Sequence, residues 1–126
     1  METVNDLADQ VQQALVAHGA WKVRLAQAIE TGKSESAPDA VRKDNQCALG
    51  RWLYGEISPA LRRQGQYEAV RRLHADFHLA AAAVLALALE GRKGDAQAAM
   101  QSGQDFSRAS TQLTLALSAW RSAVES

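Results

Sequence analysis

The sequence predicts an all-α protein, an antiparallel four-helix bundle with an additional short helix carrying the single cysteine. Three observations carry this. Alanine supplies 25 of the 126 residues, while Gly and Pro together supply ten; alanine loses no side-chain entropy in a helix, and Gly and Pro break one. Apolar residues recur at alternating steps of three and four along three long stretches, the repeat of a helix face packed on its neighbours. No stretch alternates apolar and polar residues as a half-buried strand would.

The first stretch runs from about residue 3 to residue 31, with Val4, Leu7, Val11, Ala14, His18, Trp21, Leu25 and Ala28 on its seam. It should end at Thr31-Gly32, where glycine tolerates a left-handed cap. One seam member, His18, is not apolar. Residues 32 to 38 read as loop, with Pro38 suited to the first turn of a new element. From Asp39 to Tyr54 the pattern is mixed, a short helix or helix pair interrupted by Gly50 and closed by Gly55, with Cys47 just ahead of an apolar cluster. Ser58-Pro59 looks like a cap and first turn, and Gly65 allows another break.

A long helix over about Gln66 to Glu90 follows, striped by Val70, Leu73, His74, Phe77, Ala81, Val84, Leu87 and Ala88. Its second half, Leu79 to Leu89, is apolar nearly all round, which predicts a second buried face and hence a homodimer contact. Gly91 to Gly94 form a basic turn, Asp95 is a suitable N-cap, and the last helix continues through Ala96, Ala99, Gly103, Phe106, Ser110, Leu113, Leu117, Trp120 and Val124. The expectation is a single domain over residues 1–126 with Trp21 and Trp120 as core fillers.

Fourteen basic and fourteen acidic residues leave a formal charge of zero, which argues against a nucleic-acid binder. The cluster Arg62, Arg63, Arg71 and Arg72 then reads as a solvated face rather than a docking patch. One cysteine excludes an internal disulfide. The acidic, polar start does not resemble a signal peptide, and the eleven-residue apolar run is about half of the ~20 residues a membrane span needs. These features predict a cytoplasmic protein without a membrane partner.

All three histidines and the cysteine fall at or beside core-facing positions. His74 and His78, four apart, share one helix face with Cβ atoms about 5–6 Å apart. With His18 from the first seam and Cys47 from the short segment they make a candidate tetrahedral zinc set of three nitrogens and one sulfur. The same residues also fit buried histidines paired to carbonyls and an inert, hydrophobe-like cysteine.

Three motifs stand out: His18-Gly19-Ala20-Trp21, the segment Cys47-Ala48-Leu49-Gly50-Arg51-Trp52-Leu53-Tyr54-Gly55, and His74-Ala75-Asp76-Phe77-His78. On these the sequence resembles the chemoreceptor zinc-binding domain family, within a similarity that spans about residues 10 to 120. The resemblance implies that His18, Cys47, His74 and His78 hold one zinc ion, and that Asp44, three residues before the cysteine, supports a ligand from outside the donor set. It also implies a signalling output, through a chemoreceptor or a diguanylate cyclase, and oxidant sensing at the cysteine. The 126 residues leave no space for such an effector, so the expectation is a free-standing member or an excised domain.

Within that segment Gly50 and Gly55 read either as a hinge that swings Cys47 in and out or as ordinary turn glycines, with Trp52, Leu53 and Tyr54 anchoring it to the bundle. The expected function is zinc-responsive regulation; the alternative is a structural zinc staple at a dimerisation module. An enzyme is not expected. Four protein ligands close the zinc sphere, no Glu accompanies the paired histidines, and Asp76 between them should face solvent.

Overall fold

A computed structural model describes residues 2–125, with side chains over residues 7–124. The described residues are helical with no strand. The elements are α1 (Glu2–Thr31), α2 (Pro38–Val41), α3 (Ala48–Arg51) continued by a π-helical turn (Trp52–Glu56), α4 (Pro59–Arg62), α5 (Gly65–Leu89), α6 (Lys93–Ala99) and α7 (Asp105–Glu125).

Helix α1 ends where the sequence predicts. Gly32 takes φ 71° and its N–H reaches the Ala28 carbonyl at 2.7 Å. Pro38 opens α2, and the Ser58 hydroxyl caps α4 by accepting from the Leu61 N–H at 3.3 Å. The seam of α1 is buried at Leu7, Val11, Ala14, His18, Leu25 and Ala28, whereas Trp21 is half-buried under the Arg24 guanidinium at 3.9 Å. The side chain of Val4 lies outside the described residues.

Contacts at the helix ends give the topology. Lys93 pairs with Glu30, so the C-terminal ends of α1 and α5 lie together, and the Trp120 indole N–H donates to Gln64 at 2.8 Å, placing the end of α7 at the start of α5. Helices α1 and α5 therefore run parallel and α7 antiparallel to both. Residues 32 to 64 descend between them, filling the fourth place of the bundle with short pieces rather than one rod. The core between the long helices includes Phe77, Val84, Leu113, Leu117 and Trp120, each nearly or wholly inaccessible.

Three expectations are corrected. The last helix is not continuous: it breaks over residues 100 to 104, where Gly103 adopts φ 87°, a conformation that ends a right-handed helix. Arg92, not Asp95, holds the N-cap of α6; Asp95 lies in its first turn, paired with Arg92 at 2.9 Å. Gly50 does not interrupt a helix but sits buried within α3.

By length and composition α5 is apolar enough to cross a membrane, yet 44% of its most apolar window is buried within the fold, and that buried face includes the two histidines. The same helix leaves Leu79 about half exposed, together with Ala83 and Leu89.

Candidate metal centre

His18 comes from the middle of α1, and His74 and His78 from successive turns of α5. Phe77 packs edge-on to His18 at 4.8 Å between ring centroids and closes one side of the site. Cys47 arrives on the irregular segment between α2 and α3. It is the N-cap residue of α3 rather than a member of it, and its sulfur accepts from the Gly50 N–H at 3.4 Å. The ligand-capable atoms of these four residues all lie within 4.8 Å of one another. The three imidazoles are buried and Cys47 is half-buried.

Two of the rings are fixed by backbone carbonyls, which only accept. His18 Nδ1 lies 2.8 Å from the Ala14 carbonyl and His78 Nδ1 lies 2.9 Å from the Val41 carbonyl, so each Nδ1 carries the proton and donates it. In the neutral ring this leaves Nε2 as a lone pair facing the cluster. His18 Nε2 is buried with no hydrogen-bond partner, an orphaned acceptor. His74 Nδ1 is also buried without a partner, while its Nε2 lies 3.0 Å from His78 Nε2 and 3.2 Å from Cys47 Sγ; His78 Nε2 is 3.6 Å from the same sulfur.

These separations test the fit of a metal. Zinc bonded tetrahedrally to imidazole and thiolate gives nitrogen–nitrogen edges of about 3.3 Å and nitrogen–sulfur edges of about 3.6 Å. The three edges among His74, His78 and Cys47, at 3.0, 3.2 and 3.6 Å, fall within about 0.4 Å of those values, and the His18 donor atom lies within 4.8 Å of the others. Carbonyl acceptors behind two of the rings are the outer support that metal-binding histidines ordinarily have.

Electrostatics point the same way. Burial pushes His18 down to about 4, against the pull of the Ala14 carbonyl and with the help of the His78 charge. Burial, then the charges of His78 and His18, pushes His74 lower still, and burial likewise depresses His78. Burial pushes the Cys47 thiol up, partly offset by backbone N–H groups, with the Asp44 carboxylate adding to the rise. The imidazoles are therefore neutral; His18 Nε2 meets no partner, His74 and His78 Nε2 meet only each other and the Cys47 sulfur, and a divalent cation is a group that all four donors can share.

Asp44 does not hydrogen-bond any of the three rings. Its carboxylate accepts from the Tyr54 hydroxyl at 2.5 Å, and its charge is felt by both His78 and Cys47. Trp52 and Leu53 are buried, whereas Tyr54, grouped with them as an anchor in the sequence, is 42% exposed. A Cβ on Gly50 would lie 1.7 Å from the Asp44 carbonyl oxygen, while one on Gly55 would meet nothing within 4 Å. The two glycines thus play different parts: Gly50 permits a close backbone approach, and Gly55 sits free within the π turn. Two further residues were not singled out in the sequence. The carbonyls of Ala14 and Val41 orient the rings, and because any residue type supplies a carbonyl, composition carries no signal for them.

A helical bundle with a buried cluster of three imidazoles and one thiol across two parallel helices and a short arm defines a metal-binding domain. Residues 18–85, more than half of the chain, match the family described as the chemoreceptor zinc-binding domain, CZB, and the chain belongs to that family. Comparison with curated proteins and with solved structures gave no match. The domain binds zinc, and the His18, Cys47, His74 and His78 cluster is suited to the ion.

Proposed function

We propose that the domain is a zinc-responsive regulatory module whose ion is held by His18, Cys47, His74 and His78. The observation that carries this is the convergence of four donor atoms within 4.8 Å, two of the rings being locked by carbonyls so that their lone pairs face inward. When bound, zinc supplies a Lewis-acidic centre that stabilises thiolate at neutral pH. The chain's residues do the rest. His18, His74 and His78 form a rigid three-nitrogen face on the long helices, and Cys47 closes the set from the least regular part of the fold.

Regulation follows from that division. Binding to one arrangement of the Cys47 arm shifts the population towards it, and loss of the sulfur contact releases the arm. Cys47 is also the oxidisable donor: oxygen transfer from hypochlorous acid to the thiolate yields the sulfenate and releases chloride and a proton, leaving a poorer metal donor. The change reaches a signalling partner of the chemoreceptor or diguanylate cyclase kind in the cytoplasm. The uncovered face of α5, at Leu79 and Ala83, supports a homodimer as the state in which the domain works.

The test is a zinc titration of metal-free protein and of Cys47→Ser, followed by release to a competing chelator. Faster release from the serine variant with unchanged helicity supports regulation. Loss of helicity on chelation of the parent supports the staple reading instead. Equal retention by both proteins removes Cys47 from the site.

A further inference from the structure

The hydroxyl of Tyr54 has no place among the donors, yet it hydrogen-bonds the loop that carries Cys47. It donates to Asp44 Oδ2 at 2.5 Å and feels the charge of the Arg71 guanidinium, which is paired with Glu68 one turn earlier on α5. A hydrogen bond to a carboxylate is among the stronger kinds, and here it joins the π turn to the loop that carries the cysteine.

That loop, residues 41 to 47, is attached to α5 at both ends: the Val41 carbonyl accepts from His78, and the Cys47 sulfur lies against His74 and His78. Its middle is held differently. Asp44 turns its backbone onto Gly50, where a Cβ would lie 1.7 Å from the Asp44 carbonyl oxygen, and its side chain reaches out to Tyr54. Without the Tyr54 contact, the side chain of Asp44 has no hydrogen-bond partner among the described residues.

We propose that Tyr54 is a positioning residue of the metal centre: its hydroxyl clasps Asp44 and so holds the 41–47 loop where Val41 and Cys47 meet the imidazoles of α5. This deepens the proposed function and rests on Cys47 being a ligand. Tyr54 touches no donor atom and acts through Asp44. The role explains why the tyrosine is exposed while its neighbours Trp52 and Leu53 are buried.

The experiment compares Tyr54→Phe, which removes only the hydroxyl, with Asp44→Asn and the double variant, using two readouts. Zinc release to a chelator from loaded protein should quicken roughly ten- to hundredfold in Tyr54→Phe, the range typical of groups that orient a ligand. Iodoacetamide should alkylate Cys47 of metal-free Tyr54→Phe faster than the parent, because the released loop exposes the sulfur. Because Tyr54 acts through Asp44, adding Tyr54→Phe to Asp44→Asn should change neither rate further, a non-additivity that a merely structural tyrosine would not produce. Parent-like alkylation in Tyr54→Phe, or additive effects in the double variant, overturns the proposal. Should Cys47→Ser retain zinc like the parent, the ligand assignment falls while the alkylation rate still decides the clasp.

Discussion

Trp52 and Trp120 face one another with ring centroids 6.2 Å apart and planes inclined by 49°. Trp52 lies five residues beyond Cys47, and Trp120 in the last turns of α7, where Tyr67 also flanks it and Gln64 takes its indole N–H. On the proposed function, movement of the cysteine arm would be felt at Trp120, in the C-terminal part of α7. Tryptophan emission of the zinc-loaded protein should change on chelation, and the change should shrink in Trp52→Phe. An identical emission change in Trp52→Phe would show that the arm does not move against Trp120.

Gly50 and Gly55 separate the two readings of the glycines in this segment, hinge or close backbone approach. Gly50→Ala forces a Cβ into the Asp44 carbonyl and should cost about 1–3 kcal/mol in stability, with faster zinc loss. Gly55→Ala has open space and should stay within about 0.5 kcal/mol of the parent. Chemical denaturation of both variants checks this; equal effects would contradict the packing account.

The metal-free protein should be sensitive to acid. His18 titrates at about 4 when folded and near 6.5 when unfolded, and His74 and His78 are depressed as well. Between those values the unfolded chain binds more protons, so stability is full above pH 6.5 and falls as the pH drops towards 4. At about 1.4 kcal/mol per pH unit, His18 alone accounts for about 3 kcal/mol across that window. The denaturation midpoint should fall over this range, less steeply in His18→Leu. A midpoint flat from pH 7 to pH 4 would contradict the burial of neutral imidazoles.

How much of this was legible follows from what each feature depends on. The long helices α1 and α5 announce themselves because burial repeats every three to four residues and the terminal glycine of α1 marks its end. The break at Gly103 escaped because small residues continue the same spacing across it, so periodicity alone sees no interruption. The four clustered side chains carry rare chemistry at core-facing positions and stand out. The π turn, the close approach at Gly50 and the Tyr54–Asp44 contact do not, since each depends on how a loop folds back in space. Tyr54 in particular reads as one more aromatic beside Trp52 and Leu53 until its hydroxyl is seen to face Asp44.

X-ray absorption at the zinc edge tests the central claim most directly. Zinc-loaded parent should show one sulfur at about 2.3 Å and three nitrogens at about 2.0–2.1 Å, and Cys47→Ser should lose the sulfur shell while keeping the nitrogens. A parent spectrum with only nitrogen and oxygen neighbours would contradict the account.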